Sequence, residues 1–107
     1  MKGMPGGMHA LMKQANQMQA RMKKMQDELA QRTYDGTSGG GAVTIQINGD
    51  HKLLSVKINP DVMQAGDVEM LQDLILTATN DAIKTAKDTS QKEMEKITGG
   101  LNLPGLF

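Results

Sequence analysis

The feature that most restricts the fold of this chain is a run of apolar residues at alternating steps of three and four. These residues are Met8, Leu11, Ala15, Met18, Met22, Met25 and Leu29. An average step of 3.5 residues is the period of a narrow apolar stripe along a helix that packs against another helix. No glycine or proline interrupts residues 8–31. The spacing therefore predicts a helix of about 36 Å, long enough for part of it to project from so small a domain.

The methionines of this stripe admit two interpretations. Helix packing is the favoured one, with Met18, Met22, Met25 and Leu29 as packing residues, either within the chain or across a dimer. The other is an adaptable groove for varied partners, since methionine side chains are flexible.

An alternating segment follows the predicted helix. Val43, Ile45 and Ile47 alternate with polar residues and indicate a half-buried strand whose apolar side joins the core. Asn48-Gly49 predicts a two-residue type I′ turn, which would pair 47 with 50 and 43 with 54. A third strand would then carry Leu54, Val56 and Ile58 on the same face. Residues 34–37 suggest a short first strand before the glycines at 39–41.

A second long helix is predicted from Asp67 to the Gly99-Gly100 pair. Acidic residues lie in its first turn, and an apolar stripe runs along it through Val68, Leu71, Ile75, Ala78, Ala82 and Ala86. The fold class is therefore α+β: a long N-terminal helix, a small antiparallel three-stranded sheet and a long C-terminal helix. We expect one domain over 1–107, with a flexible lead-in at 1–7 and an apolar tail at 99–107.

Catalytic, metal and membrane functions find little support in the sequence. There is no cysteine, and His9 and His51 are isolated. The glycines at 36–41 lack the Lys-Ser/Thr of a phosphate-binding loop, and the acidic residues at 67, 69 and 73 are explained more simply by a helix start than by a cation site. No apolar run is long enough to span a membrane. We expect no enzyme activity, no cofactor, no metal and no membrane partner.

Charge is segregated along the chain although its formal net value is zero. Residues 1–32 contain six basic and two acidic residues, whereas 67–81 contain four acidic and no basic residues. Four of these basic residues lie within the predicted helix and outside its apolar stripe: Lys13, Arg21, Lys23 and Lys24. They form either an ordinary solvated helix face or a phosphate-binding surface; the scarcity of acidic neighbours favours the latter. Without a base-reading motif, binding of duplex DNA would depend on phosphates and discriminate weakly between sequences.

Over nearly its whole length the sequence resembles the YbaB/EbfC nucleoid-associated proteins of bacteria. The resemblance is carried by residues 11–15 and 17–19, 39–43, the Asn48-Gly49 turn, 56–60, 69–74, 80–82 and 100–105. It implies a tweezers-shaped homodimer with projecting helices that bind duplex DNA in the cytoplasm, at the nucleoid. It also implies no catalysis and no cofactor.

The two long helices are expected to run antiparallel and to form one arm. That arrangement would place Lys13 beside Lys87, Lys92 and Lys96, with Arg21, Lys23 and Lys24 nearer the body. These seven residues are the candidate DNA contacts. A competing interpretation is a non-catalytic adaptor for DNA repair or replication-restart proteins, which the methionine stripe, acidic segment and apolar tail would suit.

Overall fold

The computed structural model describes residues 6–99, which form three helices and one sheet. The elements are α1 (Gly6–Gln31), β1 (Thr33–Ser38), β2 (Val43–Asn48), β3 (Leu53–Ile58), α2 (Pro60–Ala65) and α3 (Val68–Thr98). The predicted α+β order is confirmed. Helix α1 begins two residues before Met8, so residues 6 and 7 of the predicted lead-in are helical; residues 1–5 and the tail from 100 onward lie outside the described residues.

The core lies between one face of the sheet and α3. The strands are antiparallel in the order β1-β2-β3, and Val43, Ile45 and Ile47 of the central strand are fully buried. They form one apolar cluster with Tyr34 and with the small residues Ala78, Ala82 and Ala86 of α3. These three β2 residues therefore pack within the chain, against a helix.

Gly36 explains how closely the sheet and α3 approach. A Cβ at this position in β1 would overlap the backbone of α3 at Ala78 and Ala82. Two hydrogen bonds hold the same contact: Ser38 Oγ donates to the Leu74 carbonyl at 2.6 Å, and the Thr37 amide donates to the Asp81 carboxylate at 3.0 Å. The alanine stripe was predicted from the sequence, but the need for glycine opposite it was not.

The predicted two-residue turn at Asn48-Gly49 is wrong. Val43 pairs with Ile58 and Ile45 with Val56, and a bulge between Gln46 and Ile47 shifts the pairing so that Ile47 faces Leu53. The turn is longer because the His51 amide donates to the Asn48 carbonyl at 2.9 Å, and His51 takes the left-handed conformation, with φ of 65°. This geometry is the three-residue hairpin with a type I turn.

Asn48 favours the longer turn through its side chain. Its Oδ1 accepts hydrogen bonds from the Asp50 amide at 2.9 Å and the Lys52 amide at 3.0 Å. Such local bonds compete with a tight turn and satisfy two backbone donors at once. Val56 and Ile58 still share the buried face of β2, as predicted, whereas Leu54 is the extra residue of the bulge.

Helix α2 was missed by the sequence analysis. Asn59 Oδ1 accepts from the Asp61 amide at 2.9 Å, Pro60 occupies the first turn, and Gly66 ends the helix with φ of 68°. These are the ordinary start and stop signals of a helix. No helix was predicted from the sequence between the third strand and Asp67.

Helices α1 and α3 run antiparallel, as predicted, but they are packed over a shorter length than expected. Ile97, near the end of α3, lies beside Arg21, Lys24, Met25 and Glu28. Residues 6–20 therefore extend past the end of α3. The molecule is accordingly long and narrow, 79 × 22 × 17 Å.

Candidate nucleic-acid interface

The basic residues of α1 are all exposed. Lys13 and Lys24 are eleven positions apart, which is close to three full turns, so they lie nearly on one line along the helix, about 17 Å apart. Arg21 and Lys23 lie about 80° to either side of that line, given 3.6 residues per turn. Together the four cations cover a broad part of the helix surface rather than a narrow stripe.

These α1 cations differ from Lys84 and Lys96 of α3, which have carboxylate partners. Among residues 6–99, the ion pairs within 4 Å are Lys84–Asp88 at 2.7 Å and Lys96–Glu93 at 3.0 Å, both on α3. No carboxylate in this described part of the chain pairs with Lys13, Arg21, Lys23 or Lys24 at that distance. Their charges are thus available to an anion in solvent.

The ion pairs of α3 alter the titration of their own members. The hydrogen bond from Lys84 lowers the pKa of Asp88, and the same bond raises the pKa of Lys84. Likewise, the hydrogen bond from Lys96 lowers the pKa of Glu93, with a smaller contribution from the charge of Arg32. Of the predicted α3 contacts, Lys96 is therefore engaged with a carboxylate, and Lys92 lies close enough to Asp88 to lower its pKa as well.

The predicted placement of the basic residues needs correction. Arg21 and Lys24, rather than Lys13, lie beside the C-terminal end of α3. Lys13 lies eight residues further along α1, about 12 Å beyond Arg21, on the part that α3 does not reach. The reason is that α3 packs against β1 and β2 as far as Ala86. Only the last three turns of α3 extend beyond the sheet and can pack against α1.

Acidic residues are concentrated on the body, as expected. Asp67 caps α3 by accepting from the Met70 amide at 3.0 Å, and with Glu69 and Asp73 it lines an open depression of about 430 Å³ beside Ser38 and Gly39. Among residues 6–99, no group of three or more acidic, histidine or cysteine side chains has the arrangement of a metal site. The negative region thus lies at the sheet end, away from the α1 cations.

Exposed apolar residues on β3 were not singled out by the sequence analysis. Leu53, Leu54 and Val56 are each nearly half exposed, because α3 lies over β1 and β2 and leaves β3 largely uncovered. The strand is also at the edge of the sheet. Its alternation was predicted correctly at Val56 and Ile58 but not at Leu54, and the strands over which α3 would lie could not be predicted.

Comparison with known proteins connects this geometry to a family. The sequence model of the YbaB/EbfC DNA-binding family matches residues 4–101. This chain belongs to that family. Its YbaB/EbfC relatives include a nucleoid-associated protein of Clostridium novyi, 54% identical over 98% of this chain and 94% of the relative, and one of Thermoanaerobacter pseudethanolicus, 52% identical over 98% and 96%.

A solved structure shares the fold of this chain. An uncharacterized protein of Helicobacter pylori has the same fold, with a TM-score of 0.67 and 21% identity over 83% of this chain and 94% of that one. In this YbaB/EbfC chain, no helix within residues 6–99 is long and apolar enough to cross a membrane.

Proposed function

We propose that this protein is a nucleoid-associated protein that binds duplex DNA as a homodimer, in the cytoplasm, mainly through phosphates and with low sequence specificity. The observation that carries the proposal is the exposed α1 cations that have no carboxylate partner within residues 6–99. Membership of a DNA-binding family and the names of the relatives support it. The contacts we propose are Lys13, Arg21, Lys23 and Lys24 first, and Lys87, Lys92 and Lys96 second.

The ranking of the two groups follows from the acidic residues near them: 87, 92 and 96 share α3 with Asp88, Glu93 and Glu95, whereas α1 has no acidic residue before Asp27. A lysine that already pairs with a carboxylate, such as Lys96 with Glu93, must give up that pair to contact a phosphate. The α1 cations carry no such cost within the described residues. The separation of acidic body from basic arm also favours approach of DNA to the arm, since local potential rather than net charge guides association.

The homodimer is supported by the uncovered surface of β3. Leu53, Leu54 and Val56 are three large apolar side chains near half exposure on an edge strand, and both unpaired strand edges and contiguous exposed apolar patches mark interaction surfaces. We propose that two copies meet there. A twofold dimer of this shape would carry two projecting α1 helices, the tweezers form, and would double the basic surface.

Salt-dependent binding of plain duplex DNA tests the proposal. Each phosphate contact contributes about −0.9 to the slope of log K against log salt concentration. Removing Lys23 and Lys24 together (each Lys→Gln) should weaken binding to all sequences alike and flatten that slope. The matched control removes Lys52 and Lys84, which are also exposed and lie outside α1 and β3, and should leave the slope unchanged.

Two outcomes would contradict the proposal. If a gel-shift experiment shows no binding of duplex DNA at low salt, the result would favour an adaptor of DNA repair or replication-restart proteins, since an adaptor needs no phosphate contacts. Equal loss in the two double variants would mean that total charge, not the α1 surface, governs binding.

A further inference from the structure

Within residues 6–99, the apolar stripe of α1 is covered at one end only. Leu29 is buried, and Met25 is half-buried beside Ile97, close to the end of α3. Toward the N-terminus the stripe continues along the part of α1 that α3 does not reach. We call the four stripe residues at or past the end of α3 the free seam: Met8, Leu11, Ala15 and Met18.

The free seam has the spacing of a helix-packing surface. It keeps the alternating steps of three and four residues that continue, nearer the body, into the stretch of α1 beside α3. A stripe with this period fits another helix lying alongside, because the side chains of the two helices then interlock. Leu11 is nevertheless 61% exposed and Met8 43% exposed. The occupant that the free seam fits is therefore a helix.

The charges of α1 lie away from the free seam. At 3.6 residues per turn, Lys13 lies about 180° and Lys24 about 160° around the helix from the middle of the seam. The positions that flank the seam most closely, 12, 14 and 19, are a methionine and two glutamines. Two free seams can therefore meet without bringing like charges together, and DNA bound on the cationic side leaves the seam accessible.

We propose that the free seam binds the free seam of a second copy of this chain that belongs to another homodimer. For its DNA and its homodimer this proposal rests on the proposed function. When two arms pair through their seams, Lys13 and Lys24 of the two copies lie on opposite outer sides of the pair. Each side then faces a different stretch of duplex, so the arm contact holds two DNA segments together.

The length of the free seam determines the strength of this contact. From Met8 to Met18 is about 15 Å along the helix, and four side chains from each copy bury less than the total of about 1,200 Å² at which stable interfaces begin. The arm contact is therefore weak and forms at high protein concentration. Homodimers held side by side on DNA meet this condition, because binding raises their effective concentration.

Salt separates the arm contact from the DNA contact. Residues 6–26 include four lysine or arginine residues and no acidic residue, so two approaching arms repel each other at long range although their seams are apolar. Added salt screens that repulsion. The arm contact should therefore strengthen as salt is added, whereas binding to phosphates weakens.

Light scattering of the full-length protein without DNA tests the arm contact. The average mass should rise with protein concentration toward twice its low-concentration value, and sodium chloride should increase the rise. Leu11→Gln replaces an exposed seam residue with a good helix former and should hold the mass at its low-concentration value. Ala10→Gln introduces the same side chain about 120° around the helix from the middle of the seam and should behave like the parent.

A capture experiment with two duplexes tests the consequence for DNA. One duplex is fixed to beads and a second, fluorescent duplex is free in solution. Leu11→Gln should bind a single duplex with the affinity and salt slope of the parent, but should retain several-fold less of the fluorescent duplex on the beads. Ala10→Gln should retain as much as the parent.

Two results would overturn the arm contact. One is a parent mass that stays constant across protein and salt concentrations, and the other is growth or duplex capture that is equal in Leu11→Gln and the parent. Failure of the protein to bind any duplex would instead overturn the proposed function. The mass measurement contains no DNA, so it distinguishes the two failures.

Discussion

Gly49 has a different role from the one that its Asn-Gly sequence suggests. Its φ is not positive. Instead, the Gly49 amide donates to the Ala30 carbonyl at 3.2 Å, and a Cβ at Gly49 would overlap the carbonyl of Leu29. The residue is small because the hairpin turn rests directly on the last turn of α1.

Gly49→Ala should therefore destabilise the protein. Crowding of a packed contact costs about 1–3 kcal/mol, and urea unfolding of the variant should show a loss in that range. Gly7→Ala is the matched control, since nothing lies within 4 Å of a Cβ there and alanine favours a helix. Equal stability of Gly49→Ala and the parent would disprove the contact.

Glu93 provides a second test at the level of one residue. Its carboxylate accepts from Lys96 at 3.0 Å, which lowers its pKa from the ordinary 4.5. Because the pKa of Glu93 is lowered, the ion pair stabilises the folded chain at pH values above the ordinary pKa. This stabilisation is lost as the pH falls through the lowered pKa. In Lys96→Gln, the pKa of Glu93 measured by NMR should rise toward 4.5; an unchanged titration would show that the pair does not persist in solution.

At the scale of elements, the sequence predicted every long element and the antiparallel direction of the two long helices, but neither the hairpin register nor the length over which the helices pack. The period of α1 and the alternation of β2 specify their types, and Asp67 and Gly99 mark the ends of α3, because these signals are local. The hairpin register was wrong because Asn48 uses its side chain to hold a longer turn. The α1–α3 overlap depends on how much of α3 the sheet occupies, which is a long-range property.

The junction of α1 and α3 can be tested through the methionines at the base of the stripe. Met22 and Met25 are half-buried, and Met25 lies beside Ile97. Replacing both with Ser should cost about 2–4 kcal/mol, less than two fully buried methionines, because only part of each side chain leaves a packed site. Met12→Ser, at a position 60% exposed, should change thermal unfolding little. If the double variant unfolds like the parent, the two helices are not packed together there.

At the scale of the whole molecule, the elongated shape separates three surfaces. The α1 cations lie on the arm, the acidic residues lie at the start of α3, and the apolar residues of β3 lie on the edge of the body. Of these, sequence analysis could predict the two charged surfaces, because charge is visible in composition. Which basic residues contact DNA remains a prediction, since it depends on how the projecting helices of the two copies are oriented in the dimer.

Val56→Asp connects assembly with DNA binding and tests both. Val56 is 48% exposed on β3, so a monomer tolerates a charged side chain there. In the proposed dimer the same carboxylate would be buried without an opposite charge, which destabilises the interface. Light scattering should give about twice the chain mass for the parent and the chain mass for the variant. Because a monomer carries one basic arm rather than two, the salt slope of its DNA binding should fall toward half, with about −0.9 lost for each phosphate contact removed.

Thr33→Asp adds the same charge on the opposite edge strand and should change neither quantity. A variant that stays dimeric would move the interface away from β3, and a monomer with the full salt slope would mean that one arm makes all the contacts.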